Sequence, residues 1–266
     1  MGHWYDEQGN LRTHVPGSGG KLVEPDIRHA RKLQLVPGIT TIIKCAAAEA
    51  LTQYRERQVL MAAMDFPRED HETDEGYCAR VMRESRKHAE DAALAGAHLH
   101  SEVEHGLNDP ANNNAWVQAV RAELLRAYGG QDWICEKSVV SVFGFATRSD
   151  LHAYGDQLIV LDIKTKDGPL DELKTYDEHA MQLAATQEAI ANVWVDARCG
   201  ILFVRRDEPE ARLVEVPRDK VLRGWRMFVR LLAYWQAKND YTPSWSVPLK
   251  LEHGDGLTIN NEGDEA

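Results

Sequence analysis

Helical patterns dominate two parts of the chain. The ranges 45–64, 75–107 and 111–128 contain few glycines or prolines and many Ala, Glu, Arg and Leu residues, which favour helix. Two more helices are predicted at 175–195 and 218–238. In the last of these, apolar residues recur at helical spacing and predict a face that packs on a sheet: Trp225, Phe228, Leu231, Leu232 and Trp235.

Strand patterns fill the centre of the chain and return after the fourth helix. The predicted strands are 133–142, 143–154, 157–165, 199–206 and 211–216. The segment Tyr154-Gly155-Asp156-Gln157 predicts a hairpin turn between two of them. A helix, three antiparallel strands, a helix and further strands are typical of the α/β class. We therefore expect a central mixed β-sheet flanked by helices.

The predicted elements divide the chain into three parts. Residues 1–35 are predicted to be an irregular N-terminal extension, with a flexible turn at Val15–Gly20. Residues 36–240 carry the helix and strand patterns and are predicted to form one domain. Residues 241–266 are rich in Asp and Glu and are predicted to be a solvated acidic tail.

Composition indicates an ordinary water-soluble enzyme. The chain has 266 residues, of which 43% are hydrophobic and 27% charged, enough for one sizeable core. No apolar run approaches the roughly 20 residues that span a bilayer, and the N-terminus lacks a signal-peptide pattern. The four cysteines are far apart in the sequence, so we expect reduced thiols and a cytoplasmic protein without membrane partners.

The first candidate for chemistry is the pair Asp162 and Lys164. Side chains alternate along a strand, so both lie on one face while Ile163 points into the core. If the preceding hairpin loop holds three residues, Asp150 lies directly across from Asp162, with Cβ atoms about 5 Å apart. Two such carboxylates repel unless a cation lies between them, and Mg²⁺ prefers oxygen ligands. Alternatively, the Asp-x-Lys pattern is a solvated surface ion pair.

A second candidate group lies in the helix 75–107. Gly96, His100 and Glu104 follow one another at four-residue steps and share one helix face, whereas His98 points elsewhere. The small residue at 96 would let another backbone or a ligand approach closely. A lone helical histidine is more often structural than a metal ligand, and that alternative stays open.

The order of these residues resembles a known family. From Gly96, His100 and Glu104 the series continues with Glu136, Gly144, Asp150, Asp162-Ile163-Lys164-Thr165 and Gln182. It resembles the PD-(D/E)XK nuclease superfamily, in particular its RecB-like exonuclease branch, which includes phage-type recombination exonucleases. The segment 36–43 resembles the opening of many phage-encoded members, and the likeness extends from about residue 36 to 235. Departures are Asp162 in place of the more widespread Glu, Ala97 in place of Ser or Thr, and Thr186 in place of Tyr.

The resemblance implies a restriction-endonuclease-like core and a role for each residue. His100, Asp150 and Asp162 would ligate Mg²⁺, for which Mn²⁺ would substitute, with the carbonyl of Ile163 as a further ligand. Lys164 would position or deprotonate the attacking water. Gln182 would orient the substrate or Lys164, and Glu104 would act from the second shell of ligands. Glu136 would contact a second ion or the hydrated shell of the first. No iron–sulfur cluster is expected, because no cysteine cluster lies near the C-terminus.

The charge of the chain is unusual for a nucleic-acid enzyme. It has 31 basic and 42 acidic residues, a formal net charge of −11, whereas DNA-binding proteins usually present a basic face. Local basic stretches exist, including Arg205-Arg206, and a narrow channel is expected instead of broad binding. The candidate DNA contacts are Tyr176, Arg223, Arg226 and Arg230; the alternative for each arginine is an ion pair with a neighbouring carboxylate.

The expected function is that of a metal-dependent DNA exonuclease that resects duplex ends for recombination or repair. The alternatives are a structure-specific endonuclease on the same site and a catalytically silent nuclease-fold subunit that binds DNA or assembles with other proteins. By analogy with the family, we also expect a single-strand annealing protein as partner and a ring-shaped homo-oligomer as assembly. The expected location is the cytoplasm of a bacterial or phage-infected host cell. The polarity of cleavage, the strand preference and activity on RNA stay open.

Overall fold

The computed structural model describes residues 3–46, 49–192 and 195–249. Its strands and helices are, in chain order, β1 (Trp4–Tyr5), β2 (Val15–Pro16), β3 (Leu22–Val23), α1 (Ile27–Leu33), β4 (Val36–Pro37), α2 (Ile39–Ile43), α3 (Glu49–Asp65), α4 (Asp74–Leu107), α5 (Ala115–Tyr128), β5 (Ile134–Ser141), β6 (Phe145–Tyr154), β7 (Leu158–Lys166), α6 (Asp177–Ala191), β8 (Ala197–Arg205), β9 (Ala211–Val216) and α7 (Arg218–Asn239). The predicted α/β class is confirmed.

The central sheet has five strands in the order β5-β6-β7-β8-β9. Its neighbours are antiparallel except for β7 and β8, which are parallel and are joined through α6. This connection follows from the geometry of parallel strands, which need a crossover of a dozen or more residues. The architecture is the mixed sheet flanked by helices that the sequence predicts.

Helices cover both faces of the sheet. Strand β7 is buried on both sides: Leu158 and Val160 belong to the core under α6 and α7, and Ile159, Leu161 and Ile163 belong to the core under α4 and α5. A strand that is covered on both faces is expected to be apolar almost throughout. Asp162 and Lys164 interrupt this apolar run near its end, so burial alone does not explain their presence.

The strands β6 and β7 pair over only part of their length. A three-residue loop connects Tyr154 to Leu158, and the pairing continues to Leu151 opposite Leu161, a register that places Asp150 across from Asp162, as predicted. Beyond this point the two strands no longer pair with each other: β6 continues beside β5, and β7 continues beside β8. The two strands thus form a fork. Gly38, at the start of α2, makes a parallel bridge to Ala146 in this fork.

The N-terminal residues are more ordered than predicted. Within 1–35 the structure contains α1, capped by the Asp26 side chain, and short strands. Strand β1 pairs with β4, and Trp4 is buried with its ring centroid 5.9 Å from that of Trp235. Two-residue strands carry no periodic signal in the sequence, so long-range contacts rather than local pattern fix this segment.

The C-terminal boundary also lies further along than predicted. Tyr241 is buried, and its hydroxyl lies within hydrogen-bonding distance of the carbonyls of Ala30 and Leu35. The amide of Val247 donates to the carbonyl of Val142 at 2.7 Å. Residues 241–249 therefore pack on the domain. The rest of the predicted acidic tail, 250–266, lies outside the described residues.

Other boundaries shift by a few residues. The helix predicted at 111–128 begins at Ala115, because the side chain of Asn114 accepts hydrogen bonds from the amides of Trp116 and Val117. The helix predicted at 175–195 ends at Ala191, where Asn192 takes a left-handed conformation. Among the described residues, no helix combines the length and apolar character needed to cross a membrane.

Candidate active site

A cavity of about 830 Å³ opens in the fork between β6 and β7. Its floor is formed by Asp150 of β6 and by Asp162 and Lys164 of β7. Residues of α4 form one wall, and the N-terminal segment contributes to another. The lining also includes Gly96, His100, Ile163, Thr165 and Gln182 together with His3, Tyr5, Leu11, Thr40, Tyr54, Arg148 and Arg206.

Helix α4 reaches the fork at Gly96. A Cβ atom on this glycine would lie 2.6 Å from the Thr165 hydroxyl oxygen of β7, a distance that real side chains do not tolerate. The close approach anticipated from the sequence is therefore made to β7. It brings His100 and Glu104, one and two helical turns further on, against the floor of the cavity.

His100 lies between two carboxylates. Its Nδ1 atom is 3.3 Å from an oxygen of Glu104, and its Nε2 atom is 3.2 Å from Oδ2 of Asp150. One ligand atom from each of the three residues lies within 4.8 Å of the others. We call His100, Glu104 and Asp150 the fork cluster. Glu104, predicted to act from the second shell of ligands, belongs to this tight group.

The surroundings keep His100 protonated in the absence of a metal. Burial alone would lower the pKa of His100, but its hydrogen bonds with Asp150 and Glu104 and their negative charges outweigh burial and raise the pKa to about 10. The imidazolium therefore offsets part of the negative charge that Glu104 and Asp150 bring into the cavity.

Asp162 and Lys164 form an ion pair beside the fork cluster. Nζ of Lys164 lies 2.7 Å from Oδ2 of Asp162, although the angles are not those of a hydrogen bond and this buried oxygen has no other partner among the described residues. Burial raises the pKa of Asp162; Lys164 offsets part of the effect, and Asp150 adds to it. Burial alone would lower the pKa of Lys164, but the ion pair outweighs it and raises that pKa. Lys164 thus carries a positive charge.

Asp150 interrupts the pairing of β6 and β7. Its Oδ2 atom accepts a hydrogen bond from the backbone amide of Ile163 at 2.8 Å, while the side chain of Ile163 is buried in the core, as predicted. The Asp150 carboxylate thus accepts a hydrogen bond that a backbone carbonyl would accept in a regular sheet. This contact fixes Asp150 in the fork, between His100 and β7.

The donor atoms of the site fit a hard divalent cation. The fork cluster presents one imidazole and two carboxylates, and Asp162, which is not part of this close group, adds a third carboxylate to the cavity. Oxygen-rich sets of this kind suit Mg²⁺ and Mn²⁺. The buried Oδ2 of Asp162 lacks a hydrogen bond of good geometry within the described part of the chain but contacts the Lys164 ammonium, so a cation bound there would compete with Lys164. No thiol lines the cavity.

Gln182 of α6 lines the cavity on the side of Lys164. Its Oε1 atom is buried and has no hydrogen-bond partner within the described ranges, which leaves it available to a ligand. Thr186, one turn further, instead lies with its hydroxyl 3.2 Å from that of Thr147. Near the start of α6, burial and the charges of Lys164 and Lys220 lower the pKa of His179 to about 4.

Several predicted residues lie outside the cavity. Glu136 forms an ion pair with Arg148 and does not line it. Arg223 pairs with Asp177, at the start of α6. The remaining candidate DNA contacts are exposed and do not line the cavity either: Tyr176, Arg226 and Arg230. These four candidate DNA contacts therefore lie outside the cavity, and their role stays a prediction.

Sequence reasoning missed Arg148 as a residue of the site. It lies on β6 two residues before Asp150, and strand alternation alone would have placed both side chains on one side. Arg206, noted only as part of a basic stretch, also lines the cavity; it pairs with Asp167 and lies 3.4 Å from the carbonyl of Ala92. Arg206 therefore ties α4 to the end of β8.

The chain is distantly similar to solved structures. No family model matches the chain, and no curated protein matches it. A candidate exonuclease from Eubacterium rectale has 16% identity, covering 56% of this chain and 68% of its own, with a TM-score of 0.39. An alkaline exonuclease from Laribacter hongkongensis has 13% identity, covering 77% of this chain and 89% of its own, with a TM-score of 0.37. Both scores are below 0.5, so neither likeness identifies the family or the activity.

Proposed function

We propose that the protein is a metal-dependent nuclease that hydrolyses phosphodiester bonds of DNA and acts as an exonuclease on duplex ends, in recombination or repair. The observation that carries the proposal is the fork cluster beside the ion pair of Asp162 and Lys164. Burying several carboxylates together is unfavourable unless positive charges offset them, and His100 and Lys164 supply two such charges against the three carboxylates of Glu104, Asp150 and Asp162. This cost also argues against a silent binding module.

The residues of the fork would have different roles in hydrolysis. His100, Glu104, Asp150 and Asp162 would hold Mg²⁺, which neutralises a phosphate and lowers the pKa of a bound water. Lys164 carries a positive charge beside this position and would contact a phosphate oxygen and orient the attacking water. Its raised pKa favours this positioning role over that of a general base.

The reaction is the exchange of one oxygen at phosphorus for another. The water oxygen forms a new bond to phosphorus and loses a proton, while the bond to the leaving oxygen breaks and that oxygen gains a proton. Gln182, whose Oε1 atom is buried and without a partner in the described chain, would position the water or the sugar–phosphate strand. In-line geometry requires such groups on the side opposite the leaving oxygen.

The shape and charge of the cavity favour a strand end as substrate. Asp162 and Lys164 are partly buried at its floor, so a flexible, unpaired strand end reaches them more easily than the backbone of an intact duplex. Besides Lys164, the cavity is lined by Arg148 and Arg206. Their cationic groups would receive phosphates in a protein that is otherwise strongly acidic.

The test is cleavage of end-labelled linear duplex DNA and covalently closed circular DNA with Mg²⁺, Mn²⁺ or EDTA. Asp162→Asn is the test variant. Asp156→Asn, in the turn of the same hairpin, is the matched control. We expect metal-dependent loss of the linear substrate only, abolished by Asp162→Asn and kept by the control, with polarity given by the labelled end. Cleavage of the circular DNA would show an endonuclease activity instead of an exonuclease activity. Intact DNA under every condition would contradict the proposal.

A further inference from the structure

Arg148 lies in the same row of side chains as Asp150. Alternate residues of a strand share a side, and Ala146, Arg148 and Asp150 all line the cavity. Two residues correspond to about 6.6 Å along a strand. This is close to the separation of neighbouring phosphates in an extended nucleic-acid strand. The backbone positions of Arg148 and Asp150 along β6 are therefore spaced by about one phosphate repeat.

The partner of Arg148 has an unusual backbone. Glu136 of β5 pairs with the guanidinium group, and its φ angle is +53°, in the left-handed region that non-glycine residues rarely adopt. The pairs on either side, Cys135 with Leu151 and Lys137 with Ser149, are kept. The distortion is thus confined to the residue across from Asp150.

Stability does not account for this arrangement. The side chains of Arg148 and Glu136 are 45% and 25% exposed, and ion pairs with this much solvent contact contribute little to folding. A left-handed residue inside a strand costs free energy. Such outliers persist where a particular side-chain position is needed, and here the result is a guanidinium group held at the side of the cavity.

We propose that Arg148 is a phosphate-positioning residue, which binds the phosphodiester next to the scissile one, and that Glu136 holds its guanidinium group in place. The inference rests on the proposed nuclease function and deepens it. A guanidinium group presents parallel N–H donors that match two phosphate oxygens. The phosphate takes over contacts that Glu136 provides in the free protein. Glu136 thus serves Arg148 and not a second metal ion.

The test separates binding from catalysis. The affinity of a fluorescein-labelled DNA strand is measured by anisotropy in EDTA at several salt concentrations, and kcat and KM are measured with Mg²⁺ on linear DNA. The variants are Arg148→Gln, Arg148→Lys and a control, Arg198→Gln. Arg198 is 43% exposed and pairs with Glu215, so it matches Arg148 in exposure and partner but lies outside the cavity.

We expect Arg148→Gln to weaken DNA binding at least tenfold, to raise KM with kcat within about threefold, and to reduce the slope of log affinity against log salt by about one. Arg148→Lys keeps the charge and should keep the salt slope while it weakens binding only a few-fold. Arg198→Gln should resemble the wild type.

Three other results are distinguishable. If the wild type binds and cuts DNA but Arg148→Gln does not differ from Arg198→Gln, the role of Arg148 is overturned and the nuclease proposal stands. If Arg148→Gln lowers the melting temperature and kcat together without weakening DNA binding, its role is structural and the inference is again overturned. If the wild type neither binds nor cuts DNA, both proposals fail.

Discussion

At the scale of single residues, the centre of the site is one imidazole between two carboxylates. His100 contacts both Glu104 and Asp150, and the resulting ion pairs occupy the positions from which these atoms would hold a cation. Glu104 is almost fully buried. A charge this buried is weakly screened by solvent, so it acts strongly on its neighbours in the site.

Glu104→Gln tests this contact. The variant keeps the shape of the side chain but removes the negative charge, and we expect the affinity for Mn²⁺ to fall at least about tenfold. Titration calorimetry with Mn²⁺ provides the measurement. Glu90→Gln, an exposed residue on the same helix, is the control. Equal affinities for the two variants would remove Glu104 from the metal site.

Glu188, which lies outside the cavity, should make the stability of the protein depend on pH. It is fully buried, and neither carboxylate oxygen makes a hydrogen bond of good geometry within the described residues. Burial raises its pKa from 4.5 to about 7, offset in part by the nearby Ser141 hydroxyl. Between these two pH values the folded state binds more protons than the unfolded state, so stability falls as pH rises through this window and stays low above it.

The measurement is urea unfolding of the wild type and Glu188→Gln at pH 5 and pH 8. The wild type should lose on the order of 3 kcal/mol of unfolding free energy from this group between the two conditions. Glu188→Gln should not show this loss, whereas the exposed control Glu24→Gln should retain it. An unchanged pH dependence in Glu188→Gln would show that the carboxylate finds a partner.

Some residues of the site could be predicted and others could not, for a physical reason. Strand and helix periodicity placed Lys164 beside Asp162 and Glu104 beside His100, because spacing along one element is fixed. The pairing of Glu136 with Arg148 depends on the register of β5 on β6 and on a left-handed backbone. Neither leaves a pattern in the sequence.

At the scale of elements, the site depends on how closely α4 lies against β7. Gly96 makes this approach possible, because its missing Cβ leaves room for the Thr165 hydroxyl. The three-residue loop between β6 and β7 fixes the register of the hairpin, which places Asp150 across from Asp162. The position of α4 and the register of the β6–β7 hairpin together bring the residues of the site into contact.

Gly96→Ala should move α4 away from β7 and with it His100 and Glu104. We expect a loss of about 1–3 kcal/mol of unfolding free energy, as for other overpacked sites, together with weaker Mn²⁺ binding. Thr165→Ala in the same chain removes the clashing oxygen, because the Thr165 Cβ lies 3.9 Å from the added methyl group, and should restore both properties. A double-mutant cycle without coupling would contradict this packing.

The N-terminal strand is the element that sequence patterns missed. Trp4 is buried against Trp235 of α7, and neighbouring residues His3 and Tyr5 line the cavity. Trp4→Ala should lower the unfolding free energy by about 3–5 kcal/mol, measured by urea denaturation. Leu22→Ala, whose side chain is 69% exposed, serves as the control. Equal stability of both variants would show that this segment is dispensable.

At the scale of the whole molecule, the fold class was predictable because its long elements carry strong periodic signals. The helix 74–107 and the strands of the central sheet agree with their predicted bounds to within two residues. The short N-terminal elements form only through distant contacts, for example the bridge from Gly38 to Ala146. Local pattern cannot reveal such contacts.

The net charge of −11 also acquires a structural interpretation. Several arginines are paired with carboxylates, among them Arg205 and Arg206, so the total charge says little about the cavity. Within the described chain, the cavity lining brings together Lys164, Arg148 and Arg206. Asp150, Asp162 and Asp167 line the same cavity, so these cations lie beside carboxylates whose charge a bound metal ion would offset, and together they would favour entry of a strand at one place over general adhesion to DNA.

The most direct test of the account compares Lys164→Met with Lys166→Met. Both variants remove one lysine from β7, but Lys166 donates to the carbonyl of Pro169 and does not line the cavity. Hydrolysis of linear DNA with Mg²⁺ and the affinity for Mn²⁺ are measured on the same preparations. Lys164→Met should cut at least about 100-fold more slowly while it still binds Mn²⁺ and remains folded, and Lys166→Met should cut like the wild type. Turnover by folded Lys164→Met within a few-fold of the wild type would contradict the assigned site.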